Sequence, residues 1–284
     1  MNDWSLPEIL KLLGLGAEIA LRHYRSPRTE LKSDRSLVTE ADREIEALYA
    51  QAFDRPQEGS YLIGEETIGS RSEEYIRQAF RQLAWIVDPI DGTAPYAHHI
   101  PTWGISIGMM RRGVLEEGAV YLPITGELFL SEGERLLYAE GQSPALLADG
   151  PKLQPLPVRL RDFDDGGLIA LTQNMARRGS FNLVNPVQAL CTIVVPLTYL
   201  CLGRYLAVIG SIKLWDIAGA LPILLKAGLK ARLLMGRPLG LEVEAQTYDL
   251  DSESKKRWWL REVMVACGSE ETMARVIQGI EKTE

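Results

Sequence analysis

The stretch at residues 83–93, LAWIVDPIDGT, constrains this chain more than any other, because an apolar run stops abruptly at two aspartates, a proline, a glycine and a threonine. Leu83, Trp85, Ile86 and Val87 have the apolar and β-branched character of a strand covered on both faces. Pro89 fixes φ where a turn is expected to begin, and Gly92 permits close backbone approach. The run thus predicts a buried strand ending in a turn that carries Asp88 and Asp91. Two carboxylates in so small a volume repel each other unless a cation lies between them. Thr93 adds a hydroxyl, and the amides of Gly92, Thr93 and Ala94 are candidates to face an anion. Taken alone the string is also good turn chemistry, so matching carboxylates elsewhere must decide.

Composition narrows the partners. The net charge of −7 and pI near 5.2 argue against a nucleic-acid backbone or an anionic membrane, leaving small ligands. Cys191, Cys201 and Cys267 are odd in number, lack C-x-x-C spacing and lie in apolar surroundings. Buried free thiols in a reducing, cytoplasmic setting are expected rather than bridges or zinc ligands. The N-terminus spreads Asp3, Glu8, Lys11 and Glu18 among its apolar residues, unlike a signal peptide. The uncharged stretch from Gly179 to Gly203 is broken by Asn182, Asn185, Pro186, Gln188 and Pro196, and reads as core rather than as the roughly 20 apolar residues of a spanning helix.

Residues 6–25 place Leu6, Ile9, Leu10, Leu13, Ala17, Ala20, Leu21 and Tyr24 at helical spacing, ended by Ser26 and Pro27. After a polar loop, Thr39 is a candidate N-cap of a second helix with Asp42 at its N3 position, where Asp42 either caps alone or also serves a site. YLIGEE reads as a strand breaking at Gly64, with Glu65 and Glu66 pointing opposite ways, one toward a site and one toward solvent, or both solvated. Residues 102–138 alternate as antiparallel hairpins turning at Arg112-Gly113 and Thr125-Gly126. The Pro- and Gly-rich stretch 141–157 divides an N-terminal α+β half, 1–145, from a C-terminal α/β half, 146–284. Beyond it, LIALT reads as a strand, 192–203 as a buried helix capped by Thr192, and KLWDIAGALPILLKAG as a helix with Asp216 as N-cap and a kink at Pro222. LKARLLM and VMVACG supply further strands, and Ser269 caps the last helix.

Glu65, Asp88, Asp91 and Asp216 therefore stand at element ends. With SLVTEAD at 36–42, GEE at 64–66, WIVDPIDGT at 85–93 and WDIAGA at 215–220, in that order, the chain resembles the inositol monophosphatase superfamily of magnesium-dependent, lithium-sensitive phosphomonoesterases. The resemblance implies an αβαβα sandwich of the inositol monophosphatase and fructose-1,6-bisphosphatase type, and a homodimer. It also implies that Glu65, Asp88 and the carbonyl of Ile90 hold one Mg²⁺, that Asp88, Asp91 and Asp216 hold a second, and that Glu65 helps a third. Asp42 and Thr93 would orient the attacking water, with Glu65 counted beside them in catalysis, and the amides of Gly92 and Thr93 would grip the phosphate. Hard oxygen ligands suit Mg²⁺, and a phosphate dianion approaches four carboxylates only when cations have reversed the local field.

Departures from the family pattern fall on the substrate side: Ala94, Pro95 and Tyr96; Cys191-Thr192 where a Gly-Ser or Gly-Thr pair is usual; Leu206; Leu229; and Ile209, where inositol phosphatases place a glutamate for the polyol. His98 and His99 read as solvated loop residues rather than zinc ligands, and Lys213 as a surface charge or a substrate contact. The expected substrate is a small phosphorylated metabolite, an inositol monophosphate-like polyol or a sugar phosphate. Histidinol phosphate, fructose 1,6-bisphosphate and phosphoadenosine phosphate are alternatives, as is a weakly active binding protein that keeps the fold.

Overall fold

The apolar run becomes the strand Leu83–Asp91, every residue of which is buried. It is second in a seven-stranded sheet in a computed structural model that describes residue 1, residues 3–32 and residues 36–281; the middle of the polar loop expected before Thr39 falls at 33–35, outside the described residues. The sheet runs in the order Ser60–Gly64, Leu83–Asp91, Gly104–Arg111, Val114–Leu122, Glu127–Glu132, Arg135–Ala139 and Gln154–Pro155. Only the first pair is parallel. The antiparallel hairpins match expectation, and Arg112 (φ 52°) and Gly113 (φ 80°) supply the paired positive φ of a tight hairpin turn.

One face of this sheet is covered by the helices Leu6–Tyr24 and Glu40–Phe53. Ile9, Leu13, Ile45 and Tyr49 meet Leu62, Val87 and Ile107, and Phe53 stacks on Trp85 at 4.3 Å between ring centres. The opposite face, through Ile86, Val120 and Phe129, packs on the helices Val194–Cys201, Leu214–Ala218 and Leu221–Lys226. Those helices also meet Ala170, Val208 and Ala266 of a second sheet, ordered Val187–Ala189, Ile169–Leu171, Ala207–Gly210, Met264–Cys267 and Lys230–Leu233. The far face of the second sheet is closed by Met175, Met273 and Val276 from the helices Gln173–Arg178 and Glu270–Gln278. The result is the expected αβαβα layering, with the middle helices buried between two sheets.

Several local expectations need correction. Pro89 starts no turn: the strand runs on to Asp91 through an irregularity of the ladder between Asp88 and Asp91, where the missing N–H costs no ladder bond, and the chain turns at Gly92 (φ 96°). The buried helix begins at Val194, so Pro196 falls in its first turn, where backbone N–H groups lack intrahelical partners. Pro222 does more than kink its helix, because the segment divides into Leu214–Ala218 and Leu221–Lys226 with Pro222 in the first turn of the second. Asp216 is the third residue of the first of these, and Lys213 takes the N-cap position. Cys201 and Cys267 are buried, but Cys191 is exposed.

The helix bearing Asp216 approaches the large sheet over two glycines. A Cβ on Gly118 would lie 2.0 Å from the carbonyl oxygen of Gly219, and one on Gly108 would lie 2.6 Å from that of Ala218. Neither neighbour is a flexible side-chain end. Gly118→Ala should therefore lower stability by about 1–3 kcal/mol through overpacking, measured as a lower denaturant midpoint at unchanged slope. An unchanged midpoint would show that the helix is not seated by this contact.

Candidate metal centre

Asp88 and Asp91 reach the centre from the end of their strand, and Asp216 reaches it from the first turn of Leu214–Ala218. A carboxylate oxygen of each lies within 4.8 Å of those of the other two. Local bonds aim these groups. The Ile90 amide donates to Asp88 Oδ1 at 3.1 Å, and the Lys213 amide donates to Asp216 Oδ2 at 2.9 Å. Asp91 Oδ2 accepts from the amides of Ile193 (2.7 Å) and Val194 (2.8 Å) and from the Thr192 hydroxyl. Asp91 is thus the side-chain cap of the helix Val194–Cys201, so its geometry is set by residues distant in sequence. Thr192, expected to cap this helix, instead donates to the carboxylate that does.

The three carboxyls are held uncharged more readily than free ones. Burial pushes Asp88 well above the ordinary range, helped by the charges of Glu65, Asp91 and Asp216. Burial takes Asp216 to about 8, with Glu65 and Asp91 adding to it. Asp91 rises to about 6, burial outweighing its three hydrogen bonds. Such a set, with oxygen donors converging and too much negative charge for the volume, fits a hard divalent cation.

Glu65 stands beside the trio. Its Oε1 lies 3.3 Å from Lys32 Nζ and 3.5 Å from Lys213 Nζ, while Glu66 Oε1 lies 2.6 Å from the same Lys32. The two glutamates therefore gather on one ammonium group rather than pointing opposite ways. Their turn is clamped by Glu46, which is buried and accepts from the amides of Glu66 (2.9 Å) and Thr67 (2.8 Å). Gly64 is required there, since a Cβ would lie 2.3 Å from the Glu46 carboxyl. Glu46 was legible in principle, four residues after Asp42 on the same helix face. Lys32, in a polar loop, carried no such signal.

Asp42 completes the capping box with Thr39. Its Oδ2 accepts from the Thr39 amide (2.8 Å) and hydroxyl (2.6 Å), whereas its Oδ1 is buried with no partner among the described residues. Burial raises this carboxyl to about 7 against the Thr39 bonds, and Glu66 and Glu65 add to the rise. Its charge in turn contributes to the upward shift of Asp88. The Thr93 hydroxyl donates to the Ile90 carbonyl at 3.2 Å from the start of the short helix Thr93–Ala97. Gly92 is pressed closely, for a Cβ would lie 3.0 Å from the Thr102 carbonyl oxygen and 3.1 Å from Thr192 Cβ.

Other singled-out residues lie apart from the cluster. His98 is exposed and its Nδ1 lies 2.9 Å from the Ala94 carbonyl, while His99 stands edge-on to Tyr24 at 5.2 Å. Cys191 has φ 56°, a left-handed backbone that explains why glycine is usual there. Ile209 is fully buried with Ile169, Leu171 and Val265, so a glutamate introduced at that position would be a charge in the core rather than a restored polyol contact.

A sequence model described as the inositol monophosphatase family matches residues 11–282. Protein qutG of Emericella nidulans is 30% identical over 216 residues, covering 68% of this chain and 65% of that protein, so the chain spans less than two thirds of that relative's length. The inositol-1-monophosphatase of Mesorhizobium japonicum is 28% identical over 209 residues, covering 71% of this chain and 73% of that one. In fold, the chain is similar to a crystal structure titled IMPase/NADP phosphatase complexed with Mg²⁺ and phosphate, with TM-score 0.71, 18% identity, and 98% of this chain and 97% of that one covered.

The raised carboxyls dictate a pH dependence. Folded-state values of about 6, 7 and 8 for Asp91, Asp42 and Asp216 stand above an unfolded value of roughly 3.9. The folded state then binds protons more tightly, and its stability is greatest below the unfolded value and is lost as pH rises toward 8. Denaturant midpoints in excess chelator should fall from pH 5 to pH 8, and saturating Mg²⁺ should flatten that slope. Midpoints that rise across this window in chelator would contradict the electrostatic reading.

Proposed function

The chain belongs to the inositol monophosphatase family, and from that premise we propose that it is a Mg²⁺-dependent phosphatase hydrolysing a small phosphomonoester. The observation that carries the reading is the convergence of Asp88, Asp91 and Asp216 from two halves of the chain. Glu65, Asp88, the Ile90 carbonyl, Asp91 and Asp216 would hold two or three ions. Bound there, Mg²⁺ supplies the positive charge that admits a phosphate dianion and stabilises charge on the attacking and departing oxygens.

The rest falls to the protein. Asp42 Oδ2 is committed to Thr39, which fixes the carboxyl and leaves the buried Oδ1 to accept a hydrogen bond from the attacking water. The Thr93 hydroxyl, on the Ile90 carbonyl, orients that carbonyl and stands ready as a second contact for the same water. The first amides of Thr93–Ala97, with that of Gly92, lack intrahelical partners and supply donors for phosphate oxygens. Lys32 and Lys213 hold Glu65 at the mouth of the site. Ile209 lies in the core of the second sheet, so it makes no contact with a substrate held at the carboxylates.

Phosphate release from a panel of phosphomonoesters should require Mg²⁺ and stop in excess chelator. Asp91→Asn should abolish it while leaving circular dichroism unchanged, because the amide oxygen can still accept from Ile193 and Val194. Full activity of that variant, or of the wild type in chelator, would overturn the reading. Inhibition by lithium is expected in the same assay.

A further inference from the structure

Asp88 is sparsely supported for so deeply buried a carboxylate. Its Oδ1 accepts from the Ile90 amide, and no other donor reaches it among the described residues, whereas Asp91 gathers three donors on one oxygen. The neighbouring strand holds a donor within reach. Ser106, on Gly104–Arg111, stands directly opposite Asp88 in the antiparallel ladder, which puts the two Cβ atoms roughly 4.5–5.5 Å apart on one face of the sheet. Alternation identifies that face: Ile86, two residues before Asp88, and Met110, four after Ser106, both pack toward the middle helices.

Little else surrounds the serine that could accept from it. The residue opposite Ser106 on its other side is the buried Val120, and its neighbours two positions along the strand are Gly104 and Gly108. Overhead lies Gly219, where a Cβ would come 2.4 Å from Ser106 Oγ. Gly219 follows Asp216 by three residues and so shares its side of the helix turn. Ser106 is thus enclosed between the strand that carries Asp88 and the turn that carries Asp216. It is fully buried, and its hydroxyl has no hydrogen-bond partner among the described residues. Taking a hydroxyl out of water is unfavourable unless a partner offsets it, and alanine would occupy the same space without that penalty.

Building on the reading of the carboxylates as a cation site, we propose that Ser106 is a positioning residue of the metal centre, its hydroxyl donating to the Asp88 carboxylate in the Mg²⁺-bound protein. A serine changes its staggered position, and its hydroxyl hydrogen its direction, without moving the backbone. Such outer donors restrain a ligating carboxylate, and their loss weakens metal binding roughly ten- to a hundredfold.

Titration calorimetry of Mg²⁺ into the metal-free protein tests this without turnover. Ser106→Ala should bind Mg²⁺ about tenfold more weakly than the wild type. Its denaturant midpoint in excess chelator should equal or exceed the wild-type value, because the metal-free protein loses no bond. Phosphate release by the variant should need about tenfold more Mg²⁺ for half its maximal rate and should approach the wild-type rate at saturation. A crystal structure of the Mg²⁺-loaded protein should place Ser106 Oγ within about 3.0 Å of an Asp88 oxygen. Unchanged Mg²⁺ affinity in Ser106→Ala, with or without a lower midpoint, would overturn the assignment, as would a loaded structure in which Oγ turns away from Asp88. Weakened Mg²⁺ binding in Ser106→Ala, when the wild type binds Mg²⁺ but hydrolyses no phosphomonoester, would uphold the assignment and overturn only the phosphatase reading.

Discussion

The carboxylate of Asp91 is the point on which the molecule turns, because it carries two opposed obligations. It closes the N-terminus of the helix Val194–Cys201 through Ile193, Val194 and Thr192, which favours a charged oxygen. It also lies within 4.8 Å of carboxylate oxygens of Asp88 and Asp216, which disfavours one. Bonds to residues about a hundred positions downstream make the site a product of tertiary packing rather than of one loop. A cation that neutralises the trio relieves the second obligation without disturbing the first.

Seating Asp216 against this pair needs a helix unusually close to a sheet. Gly108 and Gly118 on the large sheet and Gly219 after the helix allow it; a Cβ on Gly219 would lie 2.4 Å from the Ser106 hydroxyl. The same economy of space recurs at Gly64, against Glu46, and at Gly92, against Thr102 and Thr192. Glycines at these three approaches bring charged groups together that bulkier neighbours would keep apart.

Most of the elements were legible because their signals are local, whereas their αβαβα layering was implied by the family resemblance. Helical spacing in Leu6–Tyr24, alternation in the hairpins, the Thr39–Asp42 capping box and the Ser269 cap all depend on residues close in sequence. The ordered carboxylate motifs were legible for the same reason. What escaped depends on distant partners: the Asp91–Thr192 bond joins residues 101 apart in sequence, and Lys32 meets Glu65 and Glu66 from a separate loop. The expectation that Glu65 and Glu66 diverge failed because their backbone is a turn clamped by Glu46, not a strand. Cys191 looked buried by its apolar neighbours, yet its left-handed backbone lies exposed just before the residue that meets Asp91.

The central claim is that buried, mutually repelling carboxyls are held ready for a cation, and proton counting tests it directly. At pH 7 a group with a pKa of about 8, such as Asp216, is largely protonated, and Asp42 is near half-protonated at about 7. Binding of Mg²⁺ must displace those protons. Titration calorimetry at pH 7 in two buffers of different ionisation enthalpy should report a net release of protons, on the order of one or more per protein, with Asp88 adding to the count. Tight Mg²⁺ binding with no proton release, or no binding at all, would contradict the account.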